Sequence, residues 1–151
     1  MQLIAHATLL ITTLFLIASF HSSARAQKCL DYGPTVSLTG KLQSKIFAGP
    51  PNYESIKRGD RKERAIIVTL IAPICTSSSN SDSFDTPEAN IRAVQLVVRE
   101  SSHWKTVERR LGRPVIVTGA LFHGHTGHHR TKVLIDVTDI RPARSIQVRP
   151  E

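Results

Sequence analysis

Val36-Ser-Leu-Thr-Gly40-Lys-Leu42 and Val115-Ile-Val-Thr-Gly119-Ala-Leu121 spell the same phrase twice, V-x-[LV]-T-G-x-L. The first copy alternates apolar and polar residues, the period-two pattern of a half-buried strand. A glycine in mid-strand weakens a flat sheet. It is tolerated where the sheet must bend sharply, bulge, or let another backbone come close. Two such strands with glycine at matching positions point to the corners of a small barrel.

Three further strands read out from these two. Ala65 to Ile71 is a β-branched, continuously apolar run of the kind found in a central strand. Ile91 to Val98 and Lys132 to Ile140 complete the set. Between them, Ser101 to Gly112 changes period: Trp104, Val107 and Leu111 are three and four apart and share one helical face. Ser101 or Ser102 is the expected cap, and Gly112 followed by Pro114 is the expected stop. Trp104 is expected in the core. Thr76 to Asn90, rich in Ser, Asn and Asp, reads as a flexible loop. The order is β-β-β-α-β-β, with one helix between strands three and four. That predicts a mainly β protein, a five-stranded OB-like Greek-key barrel in which strands one and four pair.

Residues 1–26 are set apart from this domain. Leu3 to Phe20 is almost wholly apolar, and Ala24-Arg-Ala26 is a small-x-small cleavage pattern, so the segment reads as a signal peptide. Its apolar run sits near the ~18-residue lower limit for a spanning helix, and retention as an anchor is the alternative. Cleavage leaves a single domain over residues 27–145, a tail over 146–151 and no membrane span. The expected location is periplasmic or secreted. Cys29 and Cys75 both remain, and in an oxidising compartment a lone pair most simply forms one disulfide; two buried thiols are the alternative. The chain carries a formal charge of +8, and loss of Arg25 with the signal reduces it to +7. That excess favours anionic partners such as an envelope component or a small anionic ligand. The basic run Lys57 to Arg64 is interrupted by two acids and reads as a solvated face.

In an OB barrel, ligands gather between the loops that join strands 1–2 and 4–5. The two most unusual stretches fall there: Phe47-Ala-Gly-Pro-Pro-Asn-Tyr-Glu-Ser55 in the first, and His123-Gly-His-Thr-Gly-His-His-Arg-Thr131 in the second. Although about 70 residues apart in sequence, they should be spatial neighbours in this fold. Asn52, Tyr53 and Glu54 are the candidate ligand-binding residues of the first loop. His123, His125, His128 and His129 are candidate metal ligands, since neutral imidazole suits zinc and copper. His123 and His125, at i and i+2, project from one face of an extended chain. This is the pair expected beside the 1–2 loop. A third histidine, with water or Glu54, would complete a tetrahedral zinc site. The competing reading is a polar hairpin whose imidazoles hold the loop backbone.

After removal of the expected signal the aromatics are Tyr32, Phe47, Tyr53, Phe84, Trp104 and Phe122, too few for the stacking platform of a single-strand nucleic-acid binder. No nucleophile–base motif is present, so no residue is assigned a catalytic role, and the reading leans away from an enzyme.

Cys29-Leu-Asp-Tyr-Gly33, the Phe47–Ser55 stretch, Pro73-Ile-Cys75, Gln95-Leu96, Leu111-Gly112 and the run from Val117 to His129 together resemble a family of small exported bacterial proteins. That family is catalogued as a domain of unknown function, DUF4431. The resemblance implies an exported bacterial protein and brings no established activity. The functional expectation is an exported OB-like binding module that takes a divalent metal or an anionic ligand between its 1–2 and 4–5 loops. A structural envelope or protein-interaction role is the alternative, and a metal-dependent hydrolase a third.

Overall fold

The computed structural model describes residues 29–78 and 84–143. The expected signal segment and C-terminal tail lie outside the described residues. In chain order the strands are β1 (Leu30–Asp31), β2 (Thr35–Ala48), β3 (Lys62–Ile74), β4 (Thr76–Ser77), β5 (Ile91–Val97), β6 (Pro114–His123) and β7 (Val133–Pro142). One α-helix, α1 (Ser101–Arg110), lies between β5 and β6, and a 3₁₀ turn covers Ile56–Arg58.

The two copies of the repeated phrase are laid against each other. β2 and β6 run antiparallel with Val36 opposite Gly119, Leu38 opposite Val117 and Gly40 opposite Val115. Each glycine therefore stands across from the other copy's first valine. Neither could carry a side chain: a Cβ on Gly40 would collide with the Thr69 carbonyl oxygen of β3, and one on Gly119 with the Asp136 carbonyl oxygen of β7. At these two points the chain approaches its other neighbour too closely for anything but glycine. A register shift between Thr118 and Gly119 marks the bend in β6.

The remaining pairings close the sheet into a five-strand mixed barrel, β2-β3-β5-β7-β6. Its one parallel seam joins β5 to β7, from Gln95 opposite Leu134 to Val97 opposite Asp136. Inward-facing residues such as Leu38, Leu42, Ile66, Val68, Val117 and Ile135 fill the interior. Fully burying one such Val, Leu or Ile contributes about 1.5–3 kcal/mol.

The expected position of the helix, between strands three and four, needs correction. Counted along the chain, it follows the fifth strand. Two short strands come earlier than the hydrophobic pattern could announce. β1 and β4 are two residues each and form a separate parallel pair, Leu30 opposite Thr76 and Asp31 opposite Ser77. β4 also replaces the start of the loop expected from Thr76. Ser and Thr carry little apolar signal, so the strand is imposed by its surroundings. Cys29 and Cys75, the residues just before the two strands, are joined by a disulfide with Cα atoms 4.7 Å apart. Tyr32 then buries its ring in the core, and its hydroxyl accepts from Thr76 Oγ1 and donates to the Thr86 carbonyl. Closing a loop with a sequence separation of 46 stabilises by about 4 kcal/mol on chain-entropy grounds.

Helix α1 also departs from expectation in its N-terminal half, while Leu111 at the other end of the apolar face packs against the core. Val107 is fully buried, but Trp104 is 40% exposed. Val107 is the residue of this ten-residue helix that enters the barrel core, and Trp104, one turn earlier, stays outside it. Glu100 occupies the N-cap with no side-chain cap bond, in place of Ser101 or Ser102. Past its C-terminus the chain is stitched to β2: Gly112 N–H donates to the Leu42 carbonyl, and Leu42 N–H to that of Arg113.

A disulfide fits a protein outside the reducing cytoplasm. Among the described residues, no helix is long and apolar enough to cross a membrane.

Candidate functional site

The loop between β2 and β3 is built around one carboxylate. Asp60 is buried, and it accepts from Asn52 N–H (2.9 Å), Asn52 Nδ2 (3.2 Å), Glu54 N–H (2.8 Å) and Ser55 N–H (2.7 Å). These bonds, led by that of Ser55, hold its carboxyl below the ordinary range. The anchoring fixes Tyr53 with φ at +60°, a left-handed conformation that non-glycine residues adopt at a cost. Asn52, although exposed, is thereby tied to Asp60 through both its backbone and its side-chain amide. Glu54 points outward to Arg58 at 2.7 Å.

The loop between β6 and β7 is held differently. Gln95, on β5, reads its backbone twice: its Oε1 accepts from Arg130 N–H, and its Nε2 donates to the His128 carbonyl at 3.1 Å. Thr131 Oγ1 accepts from Gln95 N–H and donates to the Val133 carbonyl. The loop is thereby fastened to β5 at the wall of the barrel.

The two loops meet, as expected of them. His128 stands between Tyr53 and Glu63, with Nε2 3.0 Å from the Tyr53 hydroxyl and Nδ1 2.8 Å from Glu63 Oε1. The Tyr53 and His128 rings pack edge to face. Arg130 lies over both the Phe47 and Tyr53 rings, 5.4 Å from each centroid, and donates through Nη2 to Glu63 Oε2 at 2.9 Å. Such stacking suits a desolvated guanidinium. Among the described residues, the buried Arg130 Nε has no hydrogen-bond partner. Burial alone would raise the Glu63 carboxyl. The bond from His128 and the charge of Arg130 together overcome this and hold it low.

The other histidines are distributed elsewhere. His123 was expected beside the 1–2 loop, but it faces Glu88 at 3.3 Å and the edge of Tyr32, on the Thr76–Asn90 side. Glu88 also takes Lys132 Nζ at 2.9 Å. That bond leads the causes lowering its carboxyl, ahead of the His123 bond. His125 turns back on its own loop, its Nδ1 3.1 Å from the His123 carbonyl and its N–H donating to His129 Nδ1. His129 packs against Phe122. Burial, then the neighbouring His125 and His128, keep it below the ordinary imidazole value. His128 is therefore the histidine that reaches the first loop, because the chain turns at Thr126–Gly127 and carries the distal residues back across the barrel. Among the described residues, no three His, Cys, Asp or Glu side chains are gathered as a metal set.

What the loops leave open is a shallow depression of about 530 Å³. Its lining includes His123, His125, His129, Arg130 and Lys132. No carboxylate is among the described lining residues. Three residues that organise this region were given no role from the sequence: Asp60, Glu63 and Gln95, the last quoted only for the family resemblance. Asp60 and Glu63 are the two acids that interrupt the basic run from Lys57 to Arg64. An acid inside a run of cations was the available signal.

No curated protein is matched by this sequence. Residues 93–141, from β5 through the histidine loop to β7, match the family described as Domain of unknown function (DUF4431).

Proposed function

We propose that the protein is an exported, OB-like Greek-key binding module. Its site is the depression on the β6–β7 loop, and its ligand is a small anion, phosphate-like or carboxylate-like. One observation carries this reading: the depression is lined by three imidazoles and two cationic residues, with no carboxylate among the described lining residues. There an anion would compete with Glu88 for Lys132 and His123 and with Glu63 for Arg130, and each imidazole that gains a proton adds charge beside it. The proton affinity of His129 is lowered first by burial and then by the neighbouring His125 and His128. A bound anion would favour the protonated ring, so binding should strengthen as pH falls from about 6.5 through the lower folded value of His129. Tyr53, His128 and Glu63 serve as the brace that holds the loop in place. The Cys29–Cys75 bridge supports the exported part of the proposal.

Amide chemical-shift mapping with pyrophosphate as the probe tests the reading. Shifts confined to residues 123–132, larger at pH 6 than at pH 8 and reduced in Lys132→Ala, are the expected result. Scattered shifts, or none at either pH, would remove the anion site. Zinc moving the same amides where pyrophosphate does not would transfer the loop to metal binding.

A further inference from the structure

We propose that Tyr53 is a nucleophile, activated by His128 and Glu63, that takes an acyl group from an aryl ester. The contact that braces the two loops runs in the order carboxylate, imidazole, hydroxyl. That is the arrangement of an activated nucleophile: a hydroxyl within hydrogen-bond reach of a base, and the base oriented by a third group. Glu63 fixes the tautomer. Its carboxyl is held low, so it is ionised and can only accept, and the Nδ1 atom 2.8 Å from its Oε1 carries the proton. In the neutral ring Nε2 is left with a lone pair, 3.0 Å from the Tyr53 hydroxyl. This is the tautomer that a general base needs.

The setting of Tyr53 exceeds what a brace requires. Its backbone is left-handed, where glycine or asparagine would fit at less cost. Such strain persists only where the surroundings enforce it, and Asp60 clamps the amides on both sides of Tyr53, those of Asn52 and Glu54. The ring is fixed as well: Gly127 lies so close that an added Cβ would sit 3.1 Å from it. The Arg130 guanidinium lies 5.4 Å from the ring centroid, on a side chain only 9% exposed. Glu63 thus faces the imidazolium that forms, and Arg130 covers the ring that gives up the proton. The His128 side chain is 60% exposed, which leaves the reacting pair open to an ester. Phosphoryl transfer would need cations free to clamp the phosphate, and Arg130 is already bound to Glu63. A neutral ester carbonyl needs no such clamp. The acylated tyrosine is itself an aryl ester, so the donor must carry a leaving group at least as good as a phenol. The Tyr53 oxygen bonds to the ester carbonyl carbon as His128 Nε2 takes its proton. The bond from that carbon to the aryl oxygen breaks, and the released phenol leaves with the proton. Water, deprotonated by the same Nε2, then attacks the acyl-tyrosine carbon; the carboxylic acid departs and Tyr53 recovers its proton.

The full chain is mixed with p-nitrophenyl acetate, and nitrophenolate release is followed together with peptide mass mapping after an acid quench. One acetyl group on Tyr53 is expected, absent in Tyr53→Phe, which keeps the ring and loses the release. Release by His128→Ala should be slower by about 100-fold or more, the usual share of a general base. Gln95 holds the carbonyl of His128 and not its exposed ring, so this variant keeps the loop. Glu63 positions the imidazole: Glu63→Gln, whose amide oxygen still accepts from Nδ1, should lower kcat and leave KM unchanged. Mapping on the parent protein needs no variant. The proposal is overturned if Tyr53→Phe or His128→Ala releases nitrophenolate as fast as the parent, or if the acetyl groups map to lysines alone. A Glu63→Gln protein with the parent's kcat would remove Glu63 from the arrangement and overturn it equally.

Discussion

The two loops that meet at the rim of the barrel are held by opposite strategies. The β2–β3 loop carries its own anchor. Asp60 gathers three backbone amides and one side-chain amide of the same loop, so its shape needs little from outside. The β6–β7 loop borrows its anchors from elsewhere: Gln95 from β5, Glu63 from β3, and Tyr53 from the other loop. A self-anchored loop keeps its form when its neighbour moves. A borrowed one can be released by changing residues far from it in sequence. For a ligand site this makes the first loop a platform and the second the adjustable partner.

The largest effect should follow loss of the internal anchor. In Asp60→Ala, the amides of Asn52, Glu54 and Ser55 lose their common acceptor, and buried donors without partners are costly. The variant should show the greatest fall in Tm among loop substitutions, with hydrogen-exchange protection lost at those three amides. If the protection survives, the loop is held by something other than Asp60. Next in size is Gln95→Ala, which removes two side-chain bonds and should cost about 1–3 kcal/mol in denaturant unfolding. Its exchange signature should be the reverse, with Arg130 N–H exposed and residues 52–55 unchanged. Equal loosening of both loops would show that they form one cooperative unit.

Acid should separate the loops without any mutation. His129 has a folded pKa below its unfolded value, so the unfolded chain binds its proton more readily. Stability from the neutral imidazole is present above about 6.5 and is lost as pH falls from there through the lower folded value. Asp60 is also depressed, but from a carboxylate value. Its contribution holds above about 3.9 and disappears only at still lower pH. Exchange measured from pH 7.5 downward should therefore show the β6–β7 loop opening first. Simultaneous opening would remove the distinction. The smallest effect belongs to Arg58→Ala, which breaks an exposed pair with Glu54 and should change stability by no more than about 0.5 kcal/mol.

The barrel was legible because its signals are local and repeated. Alternation and β-branched apolar runs gave the strand cores, and the twin glycines foretold two close backbone approaches that the register then paired. What could not be read depended on distant partners. β1 and β4 have no apolar period and exist beside a disulfide and a buried tyrosine. Trp104 fits a helical stripe, but the barrel core takes up Val107 and Leu111 and leaves Trp104 40% exposed. The meeting of the two loops followed from topology. Which histidine would make the contact did not, since that depends on the turn at Thr126–Gly127. Asp60 was obscured by its neighbours, because five cations between Lys57 and Arg64 suggest solvent rather than a buried acceptor.

The pairing order also has a kinetic consequence. β2–β3 and β6–β7 are each antiparallel neighbours in sequence, two hairpins that can zip locally. Joining them requires the β2–β6 contact and the short parallel seam of β5 with β7, both between residues far apart in the chain. Loop-closure entropy must be met before those contacts return any energy, so long-range closure should set the folding rate. The glycines of the repeated phrase lie in the first of these joins. A bulkier residue there would meet the Thr69 carbonyl inside the β2–β3 hairpin or the Asp136 carbonyl inside the β6–β7 hairpin, so each ribbon would be obstructed before the barrel could close.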